Sequence, residues 1–357
     1  MGSGFKKLLH IQLPIAAHRC LLSLFAHLFL PFSRHSRETQ AIFLHKRGLF
    51  IKCDRLYFTE MATTASHLFI VNPVAGKGDM PVSPDEITAL CRLKGARCEI
   101  RFTGAPGDAA RLASDGVKEG FSRIVSVGGD GTSSEIAGAL AGTPVLFGVV
   151  AAGSGNDFPS ACGLPYGADA LEAVFSDSSR KVDMGVLDGK GFINGLGIGM
   201  DGAIAGCFPK YRFLGGFAGY LAAAVRQAFE FEGFSARLEL PESEEEGGCL
   251  LLGVSNGPTQ GGFSLSPSAR ADDGLLDFHF VRDMFALRRI AALGLVVAGR
   301  AGERWIGRFQ AQSGVIKTSK DLPAHMDGEP FVLPAGGHEI RVNKGALNLL
   351  CGAQRGS

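Results

Sequence analysis

The residues best suited to chemistry lie in the run Ser126-Val127-Gly128-Gly129-Asp130-Gly131-Thr132, which follows an apolar stretch and opens a helical one. Glycines in such a turn let backbone N–H groups approach an anionic ligand, and the helix N-terminus behind them adds partial positive charge. Phosphate is the natural guest. Asp130 repels a phosphate, so its part there needs Mg²⁺ or a hydroxyl such as that of a ribose. Taken alone, two glycines fit a ligand-free strand-to-helix turn equally well. Two more glycine turns, Asn72-Pro73-Val74-Ala75-Gly76-Lys77-Gly78 and Gly153-Ser154-Gly155-Asn156-Asp157, each follow an apolar run. Parallel sheets bind ligands beyond the carboxyl ends of their strands, and all three turns would gather on that edge. No Walker A pattern occurs. A G-x-G-x-x-G occurs at Gly197, Gly199 and Gly202, but in strand-rich surroundings and without the strand-turn-helix unit of a dinucleotide site.

Strands and helices in alternation are needed to hold these turns. Residues 68–71, 124–127 and 145–150 read as buried strands, and Cys98, Ile100 and Phe102 alternate as another. Ser83-Pro84-Asp85-Glu86 supplies an N-cap, a first-turn proline and acids against the helix dipole, and Gly95 stops that helix. Helices are also expected over 108–118 and 133–140. This order predicts a doubly wound α/β nucleotide-binding domain over 61–183. Beyond it, short runs at 191–194, 235–240, 249–255, 275–282, 314–318 and 339–342 have the texture of an antiparallel β-sandwich, expected over 184–345. Helices near 216–231 and 285–299 interrupt it. Residues 346–357 are expected to return to the first domain.

Six blocks in order resemble the diacylglycerol kinase catalytic-domain family, in particular the bacterial YegS-like lipid kinases and, more distantly, the sphingosine kinases. They are Asn72-Pro73-x-x-Gly76, Gly128 to Thr132, Gly153 to Phe158, Val182-Asp183-Met184-Gly185, the Asn256-Gly257 to Asp277 stretch with Asp273-Gly274-Leu275, and Asp327-Gly328-Glu329. The resemblance spans about residues 67–350. It implies ATP and Mg²⁺ as cofactors, a lipid hydroxyl as acceptor, and a cleft between the two domains where they meet. By position, ATP would touch Asn72, Pro73, Gly76, Thr103, Gly128, Gly129, Asp130, Gly131, Thr132 and Ser154. A structural Mg²⁺ would fall on Asp273 with the backbone carbonyls of Arg270 and Leu275, faced by Asp157 and Asp183. Asp327 would take the proton from the lipid hydroxyl, with Glu329 the neighbouring candidate. These roles fit the chemistry, since an alcohol needs a carboxylate to accept its proton as it attacks and a transferred phosphoryl needs cationic and N–H support. On spacing alone, Asp327-Gly328 is an ordinary hairpin turn, one of six Asp-Gly pairs. His279 and His325 are kept outside the site, as lone histidines on strands. The chain departs from the family's pattern at Ser154, which keeps a hydroxyl, at Gly202, where alanine is common, and at Pro159, which predicts a late start for the local helix.

Composition narrows the rest. Residues 1–60 carry nine Lys or Arg against three Asp or Glu, leaving 27 against 32 in the body. An acidic body argues against duplex nucleic acid as a partner. The basic, Phe- and His-rich leader is too short in its apolar stretch for a span and reads as an upstream extension or targeting segment. Eight cysteines with no C-x-x-C pair argue against zinc or a disulfide framework, and reduced thiols and a cytoplasmic location are expected. A lipid kinase must also touch the membrane surface peripherally, and Phe208-Pro209-Lys210-Tyr211-Arg212-Phe213-Leu214 either rests there or packs on the sandwich. The oligomeric state is open, a homodimer included. Two rivals are an NAD kinase, whose Asn-Glu pair and Thr-Pro-Thr-Gly-Ser-Thr block are absent, and a non-catalytic lipid binder, against which stand the retained Asp130, Asp273 and Asp327.

Overall fold

Leu68, Phe69, Ile70 and Val71 form an unbroken apolar run, the pattern of a strand covered on both faces. In the computed structural model, which describes residues 65–352 except 79, 154, 262 and 298–304, this run belongs to β1 (Ser66–Val71). With β2 (Arg97–Phe102), β3 (Arg123–Gly128) and β4 (Leu146–Ala151) it makes a parallel array in the order β2-β1-β3-β4. Helices α1 (Pro84–Lys94), α2 (Asp108–Lys118) and α3 (Asp130–Leu140) make the crossovers, followed by α4 (Asp157–Ala161) and α5 (Gly167–Ala173). Alternate side chains serve opposite faces. Leu68, Ile70 and Ile124 pack with Leu112, Ile136 and Leu140, whereas Phe69, Val71 and Val125 pack with Ile87, Cys91 and Leu171. The first half is therefore doubly wound. Its strand order reverses between β1 and β3, and such a switch point opens a crevice beyond the strand ends.

Local signals set these elements. Ser83 accepts the Glu86 N–H while Glu86 accepts the Ser83 N–H, a complete capping box, and Gly95 ends α1 in the left-handed conformation at φ 64°. That reversal leads straight into β2 and brings the Cα atoms of Cys91 and Cys98 to 6.2 Å, and the two sulfurs are bonded. The expectation of reduced thiols is corrected for this pair, because sequence spacing does not reveal how the Gly95 turn folds the two cysteines together. The late helix start expected from Pro159 is also corrected. α4 begins at Asp157 with Pro159 in its first turn, where the missing N–H has no intrahelical partner to lose.

The second half is antiparallel. Its strands are β5 (Ser179–Leu187), β6 (Lys190–Phe192), β7 (Gly195–Gly199), β8 (Phe234–Glu239), β9 (Glu244–Ser255), β10 (Thr259–Gln260), β11 (Phe263–Ser264), β12 (Leu276–Arg282), β13 (Ile306–Ala311), β14 (Ser313–Thr318), β15 (Leu322–Met326), β16 (Glu329–Leu333) and β17 (Gly336–Leu350). Leu196, Ile198, Val254, Phe278, Phe280, Ile316 and Ile340 fill its core. Helices α6 (Met200–Cys207), α7 (Gly216–Glu230) and α8 (Ala286–Val297) gather around Ile204, Ala223 and Leu293. β17 pairs antiparallel with β14 and β5, then parallel with β4 through Asn348–Leu146 and Leu349–Phe147. Among the described residues, this joins both halves in one continuous hydrogen-bonded sheet.

β7, β15 and α6 are not evident from the sequence pattern. Gly195-Leu196-Gly197-Ile198-Gly199 lacks the polar alternation of a half-buried strand, yet it forms β7, which ends at Gly199, and α6 starts at Met200. The G-x-G-x-x-G segment thus does have a strand-helix unit, contrary to the sequence reading. Its glycines face protein: a Cβ on Gly197 would collide with the side chains of Asp201 and His325, one on Gly199 with Phe234, and one on Gly202 with the backbone of Ala324. The departure at Gly202 is thus one of packing, since α6 lies directly on β15 there.

Candidate functional site

The three glycine turns meet at the switch point. The Asn72 amide, just after β1, donates from Nδ2 to Thr132 Oγ1 at 3.1 Å, and its backbone N–H bonds Val127 O at 2.9 Å. A Cβ on Gly129 would lie 3.3 Å from Gly153 Cα, so the second and third turns touch backbone to backbone. Gly76, at φ 57°, leaves no room for a side chain against the Ala152 carbonyl, which brings in the first turn. Gly129 caps α3 without a side-chain hydrogen bond, and the first-turn N–H groups of α3 face the junction. Thr103 follows β2 and donates its N–H to Val71 O at 2.9 Å, and Pro73 is exposed. Ser154 lies outside the described residues.

Asp130 opens α3 and is held by the third turn, accepting the Asn156 N–H at 2.7 Å and the Phe158 N–H at 3.3 Å. Burial, then the charge of Asp157, raises its pKa above the ordinary carboxylate value. Asp157 itself accepts the Gly261 N–H at 2.6 Å. A Cβ on Gly155 would lie 3.0 Å from Asp130 Oδ2 and 3.7 Å from Asp157 Oδ2, so the two carboxylates converge there. Such a pair, all oxygen and mutually repelling, has the chemistry that suits a hard divalent cation.

Asp327 sits across the cleft on the two-residue turn between β15 and β16. Asp327 has φ 49° and Gly328 φ 88°, the paired positive values of a tight hairpin turn that favours Asp-Gly. Its carboxylate accepts the N–H groups of Ile193, Asn194 and Gly195 at 2.9, 2.8 and 3.0 Å and the Ser134 hydroxyl at 2.6 Å. Asp327, Asp130, Asp157, His325 and Asn194 line one cavity of about 230 Å³. Glu329 is exposed, with Oε1 3.4 Å from where a Gly131 Cβ would be.

The other acidic group stands apart from that cavity. Asp183 is 2% exposed, and its oxygens take the N–H groups of Gly274 and Gly345 at 2.7 and 2.6 Å. It thereby shapes the loop that carries Asp273, whose Oδ1 accepts the Leu275 N–H at 3.0 Å. Arg270 is exposed on the same loop and directs its Nε to Asp272. Among the described residues, no three His, Cys, Asp or Glu side chains converge as a ligand set; the arrangement expected around Asp273 draws on backbone carbonyls instead.

A second cavity, about 140 Å³, opens among α6, α7, α8 and the sandwich and is lined mainly by apolar groups, among them Ile204, Ala224, Leu250, Leu293 and Trp305. Tyr220 and Gln260 line both cavities. No helix among the described residues is long and apolar enough to cross a membrane.

Comparison with known proteins agrees with this fold. Residues 66–187 match the diacylglycerol kinase catalytic domain, and residues 195–351 match the YegS C-terminal NAD kinase beta sandwich-like domain. A "Probable lipid kinase YegS-like" of Pseudomonas aeruginosa (strain UCBPP-PA14) is 32% identical over 273 residues, covering 73% of this chain and 87% of that protein. The chain belongs to the YegS-like lipid kinase family. Another protein of that name, from Xanthomonas axonopodis pv. citri (strain 306), is 32% identical over 272 residues, covering 71% of this chain and 87% of its own length. In fold, a crystal structure titled as a diacylglycerol kinase from Bacillus anthracis str. Sterne aligns with a TM-score of 0.62 at 23% identity, over 81% of this chain and 97% of that one. A second crystal structure from the same organism reaches 0.67 at 24% identity, over 81% and 98%.

Several groups of this YegS-like chain escaped the sequence reading. His325 lines the polar cavity, although by sequence alone it reads as a lone strand histidine. The backbone N–H groups of 193–195 carry no side-chain signal at all. Glu135, one helical turn past Gly131, accepts the N–H groups of Gly107, Ala109 and Ala110 at 2.8, 3.0 and 3.4 Å and so satisfies the start of α2 next to the Thr103 loop.

Proposed function

We propose that this chain transfers the γ-phosphoryl group of ATP, with Mg²⁺, to the hydroxyl of a diacylglycerol-like lipid. The observation that carries this reading is the shared wall: a cavity holding Asp130, Asp157 and Asp327 adjoins an apolar one through Tyr220 and Gln260. A phosphate-side cleft that continues into an alkyl-lined pocket suits an acceptor with a polar head and a hydrocarbon tail. It suits the nicotinamide nucleotide of an NAD kinase less well, because such an acceptor is polar throughout.

In this reading the turns at Asn72 to Gly76, Gly128 to Thr132 and Ser154, with Thr103, receive the nucleotide. Bound Mg²⁺ supplies positive charge to the phosphoryl oxygens. Asp130 and Asp157 are the side chains suited to hold it at the cleft, and Asp273 with the Arg270 and Leu275 carbonyls is the proposed structural site, whose loop Asp183 fixes. Asp327 takes the proton of the acceptor hydroxyl. Its four accepted bonds fill the lone-pair sites of a carboxylate. Three of the donors are fixed backbone, so rotation of the Ser134 hydroxyl is what frees an oxygen for the substrate. Glu329 stands as the neighbouring carboxylate near the Gly131 turn.

Access from a bilayer is part of the same proposal. The segment Phe208–Leu214 is a 3₁₀ helix with no fully buried residue; Phe208 lies against Tyr220 with ring centroids 5.9 Å apart and Tyr211 packs on the cluster of Ile204, Ala223 and Ala224, which leaves Lys210, Arg212, Phe213 and Leu214 exposed. Phe213 is 81% exposed and Leu214 is also exposed, beside the exposed basic Lys210 and Arg212. Such a surface suits peripheral contact with an anionic interface.

The test is transfer from γ-labelled ATP with Mg²⁺, by the full chain, to a panel of diacylglycerol, monoacylglycerol, phosphatidylglycerol and sphingoid base in mixed micelles, with NAD alongside. Labelled lipid is expected. Label in NAD alone, or ATP binding with no transfer to any acceptor, would overturn the reading.

A further inference from the structure

The G-x-G-x-x-G glycines leave a question of their own, because they make room for something. Over Gly197, where no Cβ could fit, His325 Nε2 meets Asp201 Oδ2 at 3.0 Å. Gly202 lets α6 close on β15 at Ala324, which brings Asp201 within reach of the strand. Both partners of the pair are 5% exposed. On the far side of the imidazole, the Gly328 N–H donates to His325 Nδ1 at 3.2 Å. On the far side of the carboxylate, the Tyr220 hydroxyl donates to Asp201 Oδ1 at 2.7 Å.

These contacts define the tautomer. A backbone N–H can only donate, so Nδ1 bears a lone pair, the proton sits on Nε2, and Nε2–H donates to Asp201. The chain of bonds runs from Tyr220, which lines both cavities, through Asp201 on the apolar cavity and His325 on the polar one, to the residue that follows Asp327.

We propose that His325 is a positioning residue for phosphoryl transfer: with Asp201 as its anchor, it holds the Asp327-Gly328 turn in the conformation that points the Asp327 carboxylate into the polar cavity. The proposal rests on the lipid-kinase reading above. It also assigns the glycine motif, whose small residues create the seat for the Asp201–His325 pair and take no nucleotide.

The arrangement is sensitive to protonation. Burial disfavours the imidazolium, but the Asp201 carboxylate, with Asp327 beyond it, raises the His325 pKa above its ordinary value. A proton on Nδ1 would set two donors against each other at Gly328 and release the turn. Groups facing the pair are Tyr220 from α7, Asp327 from its own hairpin, and Asp130 and Asp157 across the cavity; β7 presents Leu196, Gly197 and Ile198 there. The observed geometry, with Nδ1 accepting the Gly328 N–H, is thus that of neutral His325, and turnover should fall as pH drops through its titration.

The experiment uses the full chain in three forms: wild type, His325→Asn, which keeps an acceptor near the Nδ1 position, and His325→Gln, which reaches only toward Asp201. Histidine ¹⁵N NMR reads the tautomer, hydrogen exchange reads the Gly328 amide, and kcat and KM for ATP and lipid are followed from pH 5.5 to 8.5. The expected result is an Nε2–H tautomer, Gly328 protection that is lost together with kcat on acidification, and about a tenfold or greater fall in kcat for His325→Gln at unchanged KM for ATP. His325→Asn should recover most of that loss and lack the acidic limb. An Nδ1–H tautomer, a wild-type acidic limb in His325→Asn, or equal kcat in all three forms would overturn the proposal. If the wild type shows the tautomer and the protected amide but labels no lipid, the phosphotransfer reading falls and the positioning of the turn stands.

Discussion

The Ser134 hydroxyl donates to Asp327 Oδ2 at 2.6 Å, joining the first turns of α3 to the β15–β16 hairpin across 193 positions of sequence. It is the one donor of the four on Asp327 that can rotate away. Ser134→Ala should therefore lower stability by about 1.5 kcal/mol, near the lower end for a hydrogen bond to a charged group, with KM for ATP within about twofold of wild type. Asp327→Asn should reduce kcat by about 10³-fold. It should also destabilise the fold, because an amide nitrogen would face N–H donors. Urea unfolding beside kcat separates the two effects, and a Ser134→Ala midpoint equal to wild type would count against the bond.

Acid should weaken the fold through two buried histidines. Burial and then the Arg123 charge lower the His67 pKa to about 4, and burial and then the Arg308 charge lower that of His279 to about 4. In the unfolded chain each titrates near its ordinary value of about 6.5. Between those limits the unfolded state binds more protons, so the contribution of these groups falls as pH drops from about 6.5 to about 4 and changes no further below. The urea midpoint should decline over that window, and His279→Gln should make the decline shallower. Identical slopes for wild type and variant would exclude His279 as a source.

The Cys91–Cys98 bond closes a short loop, with a sequence separation of 7. Loop-closure entropy for so small a ring amounts to about 2 kcal/mol. Reduction should lower the unfolding midpoint correspondingly, and alkylation under native conditions should reach Cys91 and Cys98 only after a reductant. Labelling of both without reductant would show that the pair is not bonded in solution.

The exposed Phe213 and its basic neighbours offer a direct test of surface binding. Lys210→Glu with Arg212→Glu should weaken co-sedimentation with phosphatidylglycerol vesicles severalfold, and added salt should weaken the wild type in the same direction. Phe213→Ser should reduce binding at all salt concentrations. Unchanged sedimentation of the charge-reversed variant would remove this face from the membrane proposal.

Periodicity and punctuation were enough for the first half of the fold. The apolar runs at 68–71 and 124–127, the Ser83 cap and the Gly95 stop each encode their element within a few residues, so strands, helices and three glycine turns were legible along the chain. The family's blocks were legible too, since each is a contiguous run. Left invisible were relations between distant segments. Whether Gly95 folds Cys91 onto Cys98 depends on a turn's direction, and whether Gly197 faces solvent or a histidine depends on which strand lies beside it. His325 looked like any strand histidine until β15 settled against β7 and α6. The acidic residues divided in the same way: Asp130, Asp157, Asp183 and Asp327 were legible as carboxylates, but which N–H and hydroxyl donors each accepts was not. Local backbone preference acts over a few neighbouring residues and is therefore written in the sequence itself. Side-chain neighbourhood is set by the packing of segments up to hundreds of residues apart, which the tertiary structure alone determines.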